Sequence, residues 1–316
     1  MALARANGLR TGLVLARKID QHCGKEHSFS CNTQPLVRFW LANSETVDAD
    51  AESDDLPFGA IPPDLDLHDA LLVTFQAEEE KKQEIVNLTA TLANEESVAE
   101  GNLTFHDSDL IADIQVRLGS TRAQEVRNLL RNAGDHERQA FFEQLAMRIF
   151  PGATAVVGSA MHEGDPEQPL RLSLHCTVQQ FMNRQGNTVE IDQLAPALGL
   201  APVYAKTTER KFPLYIESLY FESTVFHLHL PSGMDVRLLP ADFASKSEFG
   251  EYTLRFVRGQ RELDIRRDFK IPIQVVMPQK YASFKNFAML IDEAERQRIS
   301  LEAVKDASAG QPARLK

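Results

Sequence analysis

Of the 316 residues only three are cysteine and one is tryptophan. Three thiols make no disulfide framework, and an odd count leaves at least one of them free. No apolar run approaches the ~20 residues that a membrane-spanning helix needs. Met1-Ala2-Leu3-Ala4-Arg5-Ala6 has no long apolar core, so no secretory signal is expected, and the chain as it stands reads as cytoplasmic. Positive charge is scarce too: 34 Lys and Arg face 45 Asp and Glu, a net charge of −11. That balance argues against a nucleic-acid partner, because phosphate binding wants a basic face. Phosphate-cradling glycine loops, hydrolase elbows, paired-carboxylate motifs and fixed-period repeats are not visible. What is present is ordinary for a globular chain. The 43% hydrophobic and 25% charged content supplies ample core, and the length suggests about two domains.

The periodicity is mostly that of strands. Gly12–Ala16, Leu36–Leu41, Thr46–Asp48 and Ala70–Phe75 read as strands in the first part, with Pro57-Phe58-Gly59-Ala60-Ile61-Pro62-Pro63 too proline-rich for a helix. Glu78–Glu84 reads as a solvated linker. Strands follow at Ile85–Leu92, Val98–Phe105 and Leu110–Leu118. Ser120-Thr121 then can cap a helix with the stripe Ala123, Val126, Leu129, Leu130, Ala133, and a second helix carries Phe141, Phe142, Leu145, Ala146, Ile149 and Phe150. Strands resume at Ala155–Met161 and Leu170–Val178. Leu219–Leu230 is rich in residues suited to a pleated surface, and Pro231-Ser232-Gly233 is turn chemistry. Tyr252–Arg258 and Leu263–Phe269 flank Gly259-Gln260 as a hairpin would. From Pro278 the period becomes helical, with Tyr281, Phe284, Phe287, Ala288, Ile291 and Ala294 on one face.

The succession Arg210-Lys211-Phe212-Pro213-Leu214, Leu230-Pro231-Ser232-Gly233, Phe249-Gly250-Glu251-Tyr252 and Tyr281-Ala282-Ser283-Phe284 resembles the C-terminal end of a family of bacterial transglutaminase-like proteins. Leu3–Arg17 and Pro57–Val73 resemble, in turn, the back half of that family's core helix, its next strand and the passage out of the core. The resemblance implies an α+β fold. A papain/transglutaminase-like core remnant, truncated at its start, would span residues 1–76. A mainly antiparallel, β-sandwich-like domain would span 84–299, with a helical insertion near 121–150 and a closing helix near 279–296. Residues 300–316 would form a flexible tail. A longer parent protein would place the chain in the bacterial envelope.

A transglutaminase site needs a thiolate, a histidine base and an orienting acid. The resemblance places the cysteine upstream of Met1, puts Gln34 where the histidine belongs and leaves Asp48 as the one triad-like position. The chain is therefore expected to be non-catalytic as encoded, to need no cofactor and to act as an interaction or scaffolding unit with a protein partner. An incomplete core would favour self-association. The enzyme alternative is a cysteine transamidase or peptidase whose catalytic part lies upstream. A further alternative is a metal-binding loop, since His22, Cys23, His27 and Cys31 offer the N/S donors that zinc prefers, although their spacing matches no standard finger. Cys176 alternates with Leu172, Leu174 and Val178, which suggests a buried thiol. His227 and His229 share a strand face, but no acidic partner is evident in the sequence around them.

Overall fold

The computed structural model describes residues 2–18, 34–53, 56–62, 64–65, 69–74, 82–89, 96–191, 197–216 and 220–304. The chain begins with a short helix α1 (Ala2–Ala6), then β1 (Thr11–Ala16), β2 (Gln34–Trp40), β3 (Thr46–Ala49), β4 (Ala70–Thr74) and β5 (Lys82–Val86). There follow β6 (Ser97–His106), β7 (Asp109–Arg117), α2 (Ser120–Arg131), α3 (Asp135–Ile149), β8 (Ala153–Met161), β9 (Arg171–Val178), β10 (Asn183–Gln185), β11 (Thr188–Ile191) and α4 (Leu200–Tyr204). The last part holds β12 (Leu214–Ile216), β13 (Tyr220–His229), β14 (Met234–Leu238), β15 (Phe243–Ser247), β16 (Gly250–Arg258), β17 (Glu262–Ile271), β18 (Gln274–Val276), α5 (Tyr281–Glu295) and β19 (Ile299–Ala303).

The first five strands form one antiparallel sheet in the order β3-β2-β1-β4-β5. Its buried cluster is small and separate: Val14, Ala16, Leu36, Ile61, Leu65, Ala70, Leu72 and Leu88. Strand β5 pairs with β4 where the expected linker Glu78–Glu84 runs into the expected strand at Ile85, so Lys82–Val86 extends this sheet. The larger sheet has eight strands in the order β15-β16-β17-β13-β6-β7-β9-β8. Every neighbouring pair in it is antiparallel except β13 and β6, which run parallel at its centre.

The α+β expectation, with a papain-like core at its start, is overturned. The protein is mostly β, built from one antiparallel and one large mixed sheet, and among the described residues before β6 the only helix is the five-residue α1. Residues 46–49, expected as a short strand, and 82–86, where the expected linker Glu78–Glu84 meets the expected strand Ile85–Leu92, complete a five-stranded sheet instead of flanking a helical core. The central parallel pair was equally out of reach. Alternation reports which face is buried, and a half-buried strand alternates the same way whichever direction its neighbour runs.

Strand alternation is clean where the sheet is thickest. On β17 Leu263, Ile265, Arg267, Phe269 and Ile271 are buried, while the residues between them face outward. On β9 the buried set is Leu172, Leu174, Cys176 and Val178. The hairpin expected at Gly259-Gln260 forms between β16 and β17, closed by the Gly259 N–H on the Glu262 carbonyl at 2.7 Å. The turn at Pro231-Ser232-Gly233 also forms, with Gly233 at φ 76° and the Met234 N–H donating to Pro231 O. Its return strand β14 leaves the large sheet, because both edges of β13 are already taken by β17 and β6; it pairs with β19 in a four-stranded sheet of order β10-β11-β19-β14.

Helices cover one face of the large sheet. Phe142, Ala146, Ile149 and Phe150 of the α3 segment are buried in the main cluster with strand residues such as Leu172 and Leu174. Close approach needs glycine at Gly158 of β8, where a Cβ would overlap the Phe142 ring. In α2 the stripe differs from the one expected. Leu129 is exposed, and Arg127 is buried instead, donating to the carbonyls of His162, Asp165 and Gln168 at 3.3, 3.0 and 2.7 Å. A buried guanidinium that satisfies a loop's carbonyls is invisible to hydrophobic patterning. Helix α5 buries all six residues of its expected apolar stripe.

Candidate functional site

Asp48 sits on β3 directly across from Arg38 of β2. Its carboxylate is fully buried and takes two bonds from the Arg38 guanidinium, Nε to Oδ1 and Nη2 to Oδ2, both 2.7 Å. The Thr89 N–H adds a third bond to Oδ2 at 2.8 Å, and Arg38 Nη2 also donates to the Asn87 carbonyl at 2.6 Å. The geometry is that of a bidentate ion pair tying β2 and β3 to the chain after β5. Gln34 lies four residues along β2 from Arg38, roughly 13 Å at strand rise. The two positions that the resemblance assigns to base and acid are thus well apart, and the acid's oxygens are occupied by a cation. His22, Cys23, His27 and Cys31 lie outside the described residues. Cys176 is fully buried, and burial, assisted by the charge of Asp113, pushes its thiol up to about 11. At neutral pH it is a packed thiol, not a nucleophile.

A cavity of about 260 Å³ lies between the large sheet and the helices, lined by Ile114, Val116, Leu145, Leu198, Phe226 and Arg267 among others. Its most buried charge is committed: Arg267 Nη1 donates to Glu295 Oε1 at 3.1 Å. Glu295 also accepts the Leu198 N–H at 2.8 Å and the Tyr252 hydroxyl at 3.2 Å. Desolvation raises the Glu295 carboxyl against the pull of Arg267, and it raises the Tyr252 hydroxyl as well. These groups tie α5 to the sheet.

The opposite, uncovered face of the sheet holds the one cluster of metal-ligand residue types found among the described residues: His227, Glu262 and Asp264. Register builds it. His227 on β13 is paired with Asp264 on β17, and His229 with Glu262, so all four side chains emerge from one face. His227 Nδ1 lies 2.8 Å from Asp264 Oδ1 and 3.3 Å from Glu262 Oε1. On the other side, Glu100 of β6 brings Oε1 to 3.5 Å from His227 Nε2. Arg266 Nη2 holds the second Asp264 oxygen at 2.8 Å. The hydrogen bond to Asp264 is the main cause of a raised His227 pKa, opposed by partial desolvation and helped by Glu100 and Glu262. Asp264 is lowered, first by Arg266 and then by His227. The histidine was singled out in the sequence, but its acidic partners were not. Glu262 and Asp264 alternate on the far arm of a recognisable hairpin, yet nothing local says that this arm lies beside β13.

A raised histidine makes stability depend on pH with a definite sign. In metal-free protein the contribution is fully present below the unfolded pKa of about 6.5 and is lost as pH rises through the higher folded value. The melting temperature of the wild type relative to His227→Asn is therefore expected to fall with rising pH above about 6.5. A difference that stays flat from acid to alkaline pH contradicts this assignment.

Comparison with known proteins bears chiefly on the C-terminal third. The family model for a domain of unknown function with a solved structure, DUF3858, matches residues 189–301. That match overlaps the Arg210–Ile299 stretch whose motifs carry the resemblance described above. A crystal structure of a protease candidate from Parabacteroides distasonis superposes with a TM-score of 0.47 at 9% identity, covering 95% of this chain and 41% of that one. The chain thus spans well under half the length of that protein. No curated protein matches the chain.

Proposed function

We propose that this chain is a non-catalytic, β-rich interaction or scaffolding unit related to transglutaminase-like proteins, working through contact with a protein partner. The observation that carries the reading is the buried Arg38–Asp48 pair, because it spends the one triad-like acid on holding strands together. Gln34 has no basic lone pair with which to take a thiol proton, and the described cysteine is buried and protonated. The DUF3858 match over 189–301 supports the family relationship in the same stretch as the motifs. Two buried clusters that share no residue support a two-part organisation, one part around the five-stranded sheet and one around the eight-stranded sheet.

The test is acyl transfer itself. Purified protein incubated with glutamine-donor peptides and a primary amine, or with generic peptides, should give no product above a heat-treated control. Rapid labelling by thiol-directed acylating probes near neutral pH should also be absent. Turnover that disappears in Cys23→Ala or Cys31→Ala would overturn the proposal, because it would show that the Cys23 or Cys31 thiol acts as a nucleophile.

A further inference from the structure

We propose that His227, Glu262 and Asp264 form a binding site for one first-row divalent transition cation on the open face of the eight-stranded sheet, with Glu100 as the residue that orients the imidazole. The inference is independent of the non-catalytic reading and of His22, Cys23, His27 and Cys31.

Three observations converge on it. First, the donor spacing suits a shared ion. Bonds of about 2.0–2.2 Å to imidazole nitrogen and carboxylate oxygen put neighbouring donors on one cation roughly 3 Å apart. His227 Nδ1 already lies 2.8 Å from one carboxylate oxygen and 3.3 Å from the other, and all three donors fall within 4.8 Å of one another. Second, once Nδ1 gives up its proton it is free to ligate, with a carboxylate already near the other ring nitrogen. Metal-bound histidines usually give their other ring N–H to a carboxylate, which fixes tautomer and orientation, and Glu100 reaches Nε2 from a third strand. Third, the local charge asks for a dication. Glu100, Glu262 and Asp264 surround the ring with Arg266 as the cation paired into the group, so negative charge stays in excess whichever form the imidazole takes.

The site stands on strands, not loops. β13 is hydrogen-bonded on both sides, to β17 and to β6, so the three backbones that carry the ligands and Glu100 are fixed in register. One imidazole with two carboxylates is a mixed N/O set suited to zinc, cobalt, manganese or ferrous ions rather than to soft copper(I). It leaves coordination positions for water, and His229 stands opposite Glu262 in the register.

Titrating the full chain with Co²⁺, followed by visible absorption, and with Zn²⁺, followed by calorimetry, tests the proposal. The expected result is one equivalent bound, with affinity reduced at least about tenfold in His227→Asn and in Asp264→Asn, and reduced less in Glu100→Gln. His175→Asn, on the same face beside Asp113, should bind as the wild type does. The Cys23→Ser/Cys31→Ser double variant should also keep the site, and its cobalt spectrum should lack a thiolate charge-transfer band. If His227→Asn does not fold by circular dichroism, the outward-facing Glu262→Gln carries the same test. No stoichiometric binding, binding indifferent to His227 and Glu262, or binding lost only with Cys23 and Cys31 would each overturn the proposal and leave an ion-pair cluster.

Discussion

Asp48→Ala is expected to destabilise the protein by about 3–5 kcal/mol, read from urea unfolding followed by circular dichroism. The expectation rests on what the substitution leaves behind. Arg38 is itself buried, and two of its nitrogens point at the carboxylate that would be gone. A guanidinium does not lose its proton to escape burial, so the charge stays and has to be hydrated by opening the strands around it. The Thr89 N–H loses its acceptor at the same time. Asp48→Asn keeps the size and one acceptor oxygen and should cost less. The double variant Arg38→Met/Asp48→Leu should recover most of the loss, since replacing a whole buried pair by apolar groups is often near neutral. A single-variant loss below about 1 kcal/mol would mean that the pair does not hold the sheet, and the argument for a structural Asp48 would fail with it.

Phe284→Ala should cost a comparable 3–5 kcal/mol, roughly the range for removing a fully buried aromatic. Phe284 has no exposed surface and sits edge-on to two rings, Phe249 at 5.5 Å and Tyr204 at 6.5 Å between centroids. Those contacts come from the turn before β16 and from α4, so the cavity would open at the point where α5 meets both. Edge-to-face pairs add roughly 0.5–1.5 kcal/mol each beyond burial, and their loss falls in the same direction. Met289, on the exposed side of the same helix, is the control: Met289→Ala should change stability by no more than about 0.5 kcal/mol. Equal effects at the two positions would mean that α5 does not use its apolar stripe for packing.

What the sequence revealed and what it hid divide along a physical line. Local periodicity was enough for α5, for the Gly259-Gln260 hairpin and for the buried face of β9, because each of those patterns is complete within one or two neighbouring elements. It was not enough for anything that depends on which distant strand lies alongside. The parallel β6–β13 pair, the departure of β14 to another sheet and the incorporation of residues 82–86 into the first sheet are all decisions of pairing. Buried charge was hidden for a different reason. Arg38, Arg127 and Arg267 occupy positions that an alternation or stripe argument assigns to apolar groups, and each is accommodated by acceptors brought from far along the chain. The histidine–carboxylate cluster combines both difficulties. His227 was visible, but the three carboxylates around it arrive from two other strands.

The parallel seam between β6 and β13 also sets the order in which the molecule can be made. Ser97 on one side must wait for Glu222 on the other, well over a hundred residues later in synthesis. At roughly 5–20 residues per second, the ribosome delivers the second strand some seconds to tens of seconds after the first. Throughout that interval the β6 edge offers unpaired backbone groups to any neighbouring chain. The strands β7, β8 and β9 can assemble with β6 early, since their connections are local, whereas β13, β15, β16 and β17 make up the antiparallel block on the other side of the seam. The eight-stranded sheet is therefore two half-sheets joined late along one line, and the histidine cluster, with Glu100 on one half and His227, Glu262 and Asp264 on the other, comes together only when that seam closes.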